Sequence, residues 1–204
     1  MTLFRTFQPV KLAALVLLAS FTAISCGENR VAQAHREAME EAAADTVLSP
    51  QEQMALEANT LKNEAMDALM GGNPSKAASL LKKATDLNPT DHNLWYQRGM
   101  ALIEAGNNDD AYTSLTKAIQ LNPRHGNTFK ARGKASLNMG KYDQAIEDLN
   151  LALEISPRDA HAYVDRGLAK VSKGQTKSGC DDFGRAEWLR TVNVDEYQSR
   201  YCGA

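Results

Sequence analysis

The sequence predicts an all-α solenoid of four stacked antiparallel helix pairs closed by a short C-terminal capping helix. Three observations carry the expectation. Gly72, Gly106, Gly140 and Gly174 follow one another at a step of 34 residues; Pro89, Pro123 and Pro157 keep the same step, and so do Ala84, Ala118, Ala152 and Ala186. A fixed period of this length marks a repeated unit whose apolar face is covered only by the next copy, so the copies stack. They run 58–91, 92–125, 126–159 and 160–193.

Residues 1–25 read as an export signal. Arg5 and Lys11 precede or open the uncharged run LAALVLLASFTAIS, which falls short of the ~20 residues a spanning helix needs. Ala23-Ile24-Ser25-Cys26-Gly27 resembles the lipobox of bacterial lipoproteins, in which the cysteine is acylated and becomes the first residue of the mature chain. The resemblance implies a lipid anchor on Cys26 and a place in the bacterial cell envelope. Ala23 stands where leucine is more usual, and cleavage near Ser25 that leaves Cys26 a free thiol is the plainer alternative. Gly27 is not the aspartate that retains some lipoproteins at the inner membrane, which points toward the outer one. Residues 26–48, rich in alanine and glutamate with a thin apolar stripe at Val31, Ala34, Ala38 and Met39, are expected to form a tether that is partly helical or disordered.

The folded domain is expected over 49–204. Ser49-Pro50-Gln51-Glu52 combines an N-cap serine, a proline at the first helical place and a glutamate at the third, so a helix should start at Pro50 and continue to Met70. In each repeat the glycine of the Gly72 series ends the first helix, because a left-handed residue there carries no Cβ penalty. The prolines stop the second helices. Small residues let the two backbones approach at Ala65, Gly99, Gly133 and Gly167 and at Ala77, Ala111, Ala145 and Gly179. Trp95, Leu115, Phe129, Leu149, Tyr163 and Phe183 are expected to fill the space beside them. At the end, VDEYQSRYCGA should form a helix over Asp195–Tyr201 whose two tyrosines cover the last pair, giving a cap at 194–204.

The segments WYQRGMALIEAGNNDDAYTSLTKAIQLNP and FKARGKASLNMGKYDQAIEDLNLALEISP resemble the tetratricopeptide repeat (TPR) family. Repeats two and three match best; repeat one has Leu61 and Ala65 for the aromatic and glycine, and repeat four lacks the final proline. The resemblance implies that the first helices line a concave groove holding an extended peptide or a partner helix. Carried over place by place, it assigns Asn59, Lys62, Asn63 and Met66 in repeat one and Asn93, Tyr96, Gln97 and Met100 in repeat two. Asn127, Lys130 and Lys134 follow in repeat three and His161 in repeat four, so Asn59, Asn93, Asn127 and His161 form a ladder. A merely solvated concave face is the equal alternative. The lysine and asparagine clamp by which chaperone-binding members seize a C-terminal carboxylate is not matched, because Met66, Gln97 and Ala131 depart from it even though Lys62 agrees.

Little in the chain suggests catalysis. His35, His92, His125 and His161 lack ligand spacing, and no paired-cysteine motif accompanies them. Asp109-Asp110 and Asp181-Asp182 are expected at the starts of second helices, where they meet the positive dipole end. Arg98, Arg132 and Arg166 are expected to pair with second-helix carboxylates such as Asp148 and Asp182 rather than to form an acidic-ligand ladder. With 23 basic and 25 acidic residues, scattered, the chain shows no nucleic-acid footprint. Neither a metal nor a cofactor is expected. If Cys26 carries lipid, Cys180 and Cys202 remain, and helix rises of comparable length allow the two thiols to meet as a disulfide; two separate buried thiols are the alternative. The expected function is a non-enzymatic, membrane-anchored adaptor or scaffold for a protein or peptide partner. The alternative is a structural accessory or pilotin-like assembly factor of an envelope secretion, pilus or uptake complex.

Overall fold

The computed structural model describes residues 33–38 and 48–203. The export signal 1–25, Cys26, Val31 and Met39 lie outside the described residues. The chain divides into two units, 1–47 and 48–204. In the first, residues 33–38 are helical and Gln33 Nε2 donates to Glu37 Oε1 at 3.2 Å.

In the second unit, helices alternate with short turns. They are α1 (Pro50–Met70), α2 (Pro74–Leu87), α3 (His92–Glu104), α4 (Asn108–Leu121), α5 (Gly126–Asn138), α6 (Tyr142–Ile155), α7 (Ala160–Ser172), α8 (Thr176–Leu189) and α9 (Asp195–Tyr201). Each packs on its neighbours in sequence, which makes four pairs and a terminal helix. Among the described residues no helix is long and apolar enough to cross a membrane.

The boundaries follow local chemistry. Ser49 Oγ accepts from the Glu52 N–H while the Glu52 carboxylate accepts from the Ser49 N–H at 2.7 Å, so two orphan donors of α1 are satisfied reciprocally. Gly72, Gly106, Gly140 and Gly174 have φ of 72°, 80°, 73° and 86°, a conformation open to glycine and strained for other residues. Helices α2, α4 and α6 stop two residues before Pro89, Pro123 and Pro157. Repeat four has no such proline, and α8 ends on Arg190 in the left-handed region at φ 53°.

Close helix approach organises the core. A Cβ added to Gly99 would stand 2.5 Å from Leu115, and one on Gly133 2.8 Å from Leu149. At Gly167 it would stand 2.6 Å from Phe183. Leu115, Leu149 and Phe183 are wholly buried, so each glycine is the hole into which a large side chain of the second helix fits. Phe129 is buried as expected, whereas Trp95 and Tyr163 are only half-buried. They act as platforms instead: Trp95 Nε1 donates to the Pro89 carbonyl at 2.9 Å, and the guanidinium groups of Arg98 and Arg166 lie 5.5 and 5.3 Å from the Trp95 and Tyr163 ring centres.

Two of the three repeated arginines pair as expected. Arg132 grips Asp148 with Nε and Nη2 at 2.9 and 2.7 Å and reaches Thr116 at 3.1 Å. Arg166 repeats the pattern on Asp182 at 2.9 and 2.6 Å and on Asn150 at 2.7 Å. Burial works against the charge of Arg132, but the hydrogen bonds and charge of Asp148 outweigh it and raise its pKa. One expectation needs correction. Asp109 and Asp110 do occupy the first turn of α4, but Asp181 and Asp182 lie in the second turn of α8, because that helix already begins at Thr176. Asp182 is a buried carboxylate serving Arg166 and Lys170, not a helix-dipole partner.

The last pair is covered by α9. Tyr197 stacks on Phe183 with ring centres 5.5 Å apart, Tyr201 follows at 6.3 Å, and Val194 is buried at the turn into the helix. The Cys180 and Cys202 sulfurs stand at bonding distance, 2.01 Å, with the Cα atoms 5.8 Å apart.

Candidate peptide groove and its polar ladder

Helices α1, α3, α5 and α7 present the residues assigned to the groove. Because α3, α5 and α7 start at the same place of the repeat and all four helices end at the same place, at Met70, Glu104, Asn138 and Ser172, side chains one period apart fall into register. N-caps fix those starts: Asp91 Oδ1 accepts from the Asn93 N–H at 2.8 Å, and Asp159 Oδ1 from the Ala162 N–H at 3.1 Å. The asparagine ladder is not uniform. Asn59 is taken up within α1, its Nδ2 donating to the Ala55 carbonyl at 3.0 Å and its Oδ1 accepting from Lys62 Nζ at 2.8 Å. Asn93, Asn127 and His161 are exposed, and their side chains make no hydrogen bond among the described residues. Asn63 and Met66 are also exposed, and Met100 is half-buried.

The groove lysines of repeat three are engaged within the solenoid. Lys130 Nζ lies 2.5 Å from Asp159, the N-cap of α7, and Lys134 Nζ lies 2.9 Å from Asp165 within α7, so each ties α5 to α7. Asn138 Nδ2 donates to Asn108 Oδ1 at 3.0 Å, and Lys173 pairs with Asp143, extending the same lacing to neighbouring repeats. Expected as ligand contacts, Lys130 and Lys134 are instead paired with carboxylates about one repeat away, which the sequence shows only as scattered acids. Gln97 is half-buried, and its Oε1 is enclosed without a donor. An amide carbonyl in that state costs stability, and its enclosure keeps a groove ligand from reaching it.

An aromatic cluster at the second repeat junction was not anticipated. The rings of His92 and His125 meet edge to face at 5.5 Å, Tyr96 meets His125 at 5.1 Å, the Asn122 amide lies 3.1 Å from His92 Nε2, and His125 Nδ1 lies 2.6 Å from Thr128 Oγ1. Burial lowers the His125 pKa, and the neighbouring His92 adds to the effect. Burial also raises that of the Tyr96 hydroxyl, opposed by Lys130 and assisted by Asp159. The signal was available: the two histidines are almost one period apart, so stacking brings them together. Among the described residues no three His, Cys, Asp or Glu side chains converge to hold a metal ion.

The register of these pairs, with its recurring glycine holes, meets two sequence-family models. A tetratricopeptide repeat model matches residues 68–127, and a second TPR repeat model matches residues 133–174. The chain belongs to the tetratricopeptide repeat family. Proteins of this family are generally interaction modules rather than enzymes. No curated protein matches the TPR chain. Among solved structures it is similar to MamA, residues 41 to the end, from Desulfovibrio magneticus RS-1. Identity is 27%, the match covers 70% of this chain and 81% of that one, and the TM-score is 0.64. YrrB, described as a TPR protein with an unusual peptide-binding site, shares the fold at 17% identity, covering 70% of this chain and 74% of that one, TM-score 0.63. The first TPR of Spaghetti (RPAP3), bound to the HSP90 peptide SRMEEVD, does so at 21% identity, covering 59% and 95%, TM-score 0.57.

Proposed function

We propose that this TPR protein is a non-enzymatic adaptor of the bacterial cell envelope, held at the outer membrane by a lipid on Cys26, that grips an extended segment of a partner protein. The observation that carries the peptide reading is the set of exposed, unengaged groups Asn93, Asn127 and His161 at one place of successive first helices. An asparagine amide donates and accepts at once, which suits a peptide backbone offering both groups. Met100 and Tyr96 supply adaptable apolar surface next to it. The peptide-bound relative and the one named for its peptide-binding site support this use of the fold. Because Lys130 and Lys134 are held by carboxylates, the groove would select by backbone pairing and apolar side chains rather than by a terminal carboxylate.

Two measurements test the two halves. Intact mass of the mature N-terminus from a membrane fraction should give a chain beginning at acylated Cys26; a soluble chain beginning elsewhere removes the anchor. Affinity capture from crosslinked envelopes should recover a partner with the wild-type chain and lose it with Asn93→Ala/Asn127→Ala. Undiminished recovery by the double variant refutes the groove reading.

A further inference from the structure

Arg98 breaks the pattern that its two equivalents obey. Arg132 and Arg166 each close bidentately on a buried aspartate 16 residues ahead and touch a neutral acceptor 16 residues behind, Thr116 or Asn150. The same offsets from Arg98 lead to Ser114 and Lys82. Ser114 is buried, its hydroxyl donates to the Asp110 carbonyl at 2.8 Å, and it brings no negative charge to match the guanidinium. Lys82 adds a second cation instead of an acceptor. Its pairing with Asp86 at 3.0 Å is on the surface, with both side chains about 60% exposed, and holds it weakly. Among the described residues Arg98 makes no hydrogen bond and no ion pair; its charge rests only against the Trp95 ring.

The vacancy opens to solvent. Arg98 lines an open cleft of about 480 Å³ between α2, α3 and the start of α4, together with Ser75, Ser79, Lys82, Leu102 and Asn107. The acidic group at its rim, Asp110, accepts from Asn107 Nδ2 at 2.7 Å and faces the start of α4. None of the residues lining the cleft belongs to the groove assigned above. We infer that Arg98 and Lys82 form a second docking site, which receives a carboxylate side chain of an acidic partner peptide where repeats three and four supply their own aspartate. A carboxylate is the matching group because the equivalent arginines already take one in the two-toothed geometry of a planar guanidinium. Ser75, Ser79 and Asn107 supply hydroxyl and amide groups to the peptide backbone, and Leu102 an apolar floor.

The experiment follows from the internal comparison and does not depend on the concave groove. The full mature chain, labelled with ¹⁵N, is titrated at low salt with an acetylated, amidated tetraglutamate peptide and separately with inorganic phosphate, while the arginine Nε–H resonances and the backbone amides of the cleft residues are followed. The expected result is a saturable shift of Arg98 with the peptide, while Arg132 and Arg166 stay still. Ser114→Asp supplies the missing internal carboxylate and should weaken peptide binding at least tenfold; Arg98→Gln, which adds no new partner, should do the same. Absence of an Arg98 shift, an equal response in either variant, or an equal affinity for phosphate would each overturn the proposal. Asn93→Ala/Asn127→Ala should leave this titration unchanged, so failure of the groove and failure of this site are read separately.

Discussion

Gly179 and Gly184 lie in the same helix, five residues apart, and alanine at the two places should act in opposite directions. Alanine favours a helix interior by about 1 kcal/mol over glycine. A Cβ at Gly184 meets nothing within 4 Å, so Gly184→Ala should realise that gain. A Cβ at Gly179 would stand 2.5 Å from Val171 Cγ2 and 2.8 Å from the Gly167 carbonyl oxygen. The valine methyl can turn away, but the carbonyl belongs to α7, and ordinary contact begins near 3.4 Å. The α7 and α8 backbones must therefore part by about 0.6 Å, the difference between 3.4 and 2.8 Å, and lose packing around the buried Phe183. Overpacking of this kind costs about 1–3 kcal/mol. Set against the helix gain of about 1 kcal/mol, Gly179→Ala should destabilise by up to about 2 kcal/mol. The two variants should then differ by about 1–3 kcal/mol, or roughly 2–12 °C in Tm for a domain of this size. Urea and thermal unfolding followed by circular dichroism measure both. If Gly179→Ala melts at or above the wild-type temperature, the close approach of α7 and α8 is not what fixes glycine there.

Two further outcomes are expected. Cys180 and Cys202 are separated by 22 residues, and closing a loop of that length restricts the unfolded chain by about 3 kcal/mol. Cys180→Ser/Cys202→Ser should lower the urea stability of oxidised protein by about that amount and free the tyrosines of α9, whereas identical wild-type melts with and without dithiothreitol would refute the link. His125, with a pKa depressed below 6.5 in the folded state, binds its proton more readily when unfolded. Its contribution is therefore intact above pH 6.5 and is lost as pH falls through the lower folded value. Thermal melts at pH 7.5 and 5 should show a larger acid loss for wild type than for His125→Asn, and equal losses would refute that assignment.

The sequence by itself determined the repeat, and with it the helix starts, the glycine turns and the proline stops, because these are local backbone preferences that recur at a fixed step. It also determined the glycine holes and the arginine–aspartate pairing of Arg132 and Arg166, since both partners repeat with the period. What the period does not carry was decided by the tertiary structure. Lys130 and Lys134 read as groove contacts until stacking set Asp159 and Asp165 beside them. His92 and His125 read only as lacking ligand spacing until the repeat junction brought their rings together. Asp181 and Asp182 read as helix-start charges until the start of α8 at Thr176 placed them in its second turn. In each case the deciding quantity is a distance between residues of different helices, which depends on how pairs rotate and stack rather than on any local preference. The empty place beside Arg98 needed both sources: the period named the missing aspartate, and the fold left the cleft open.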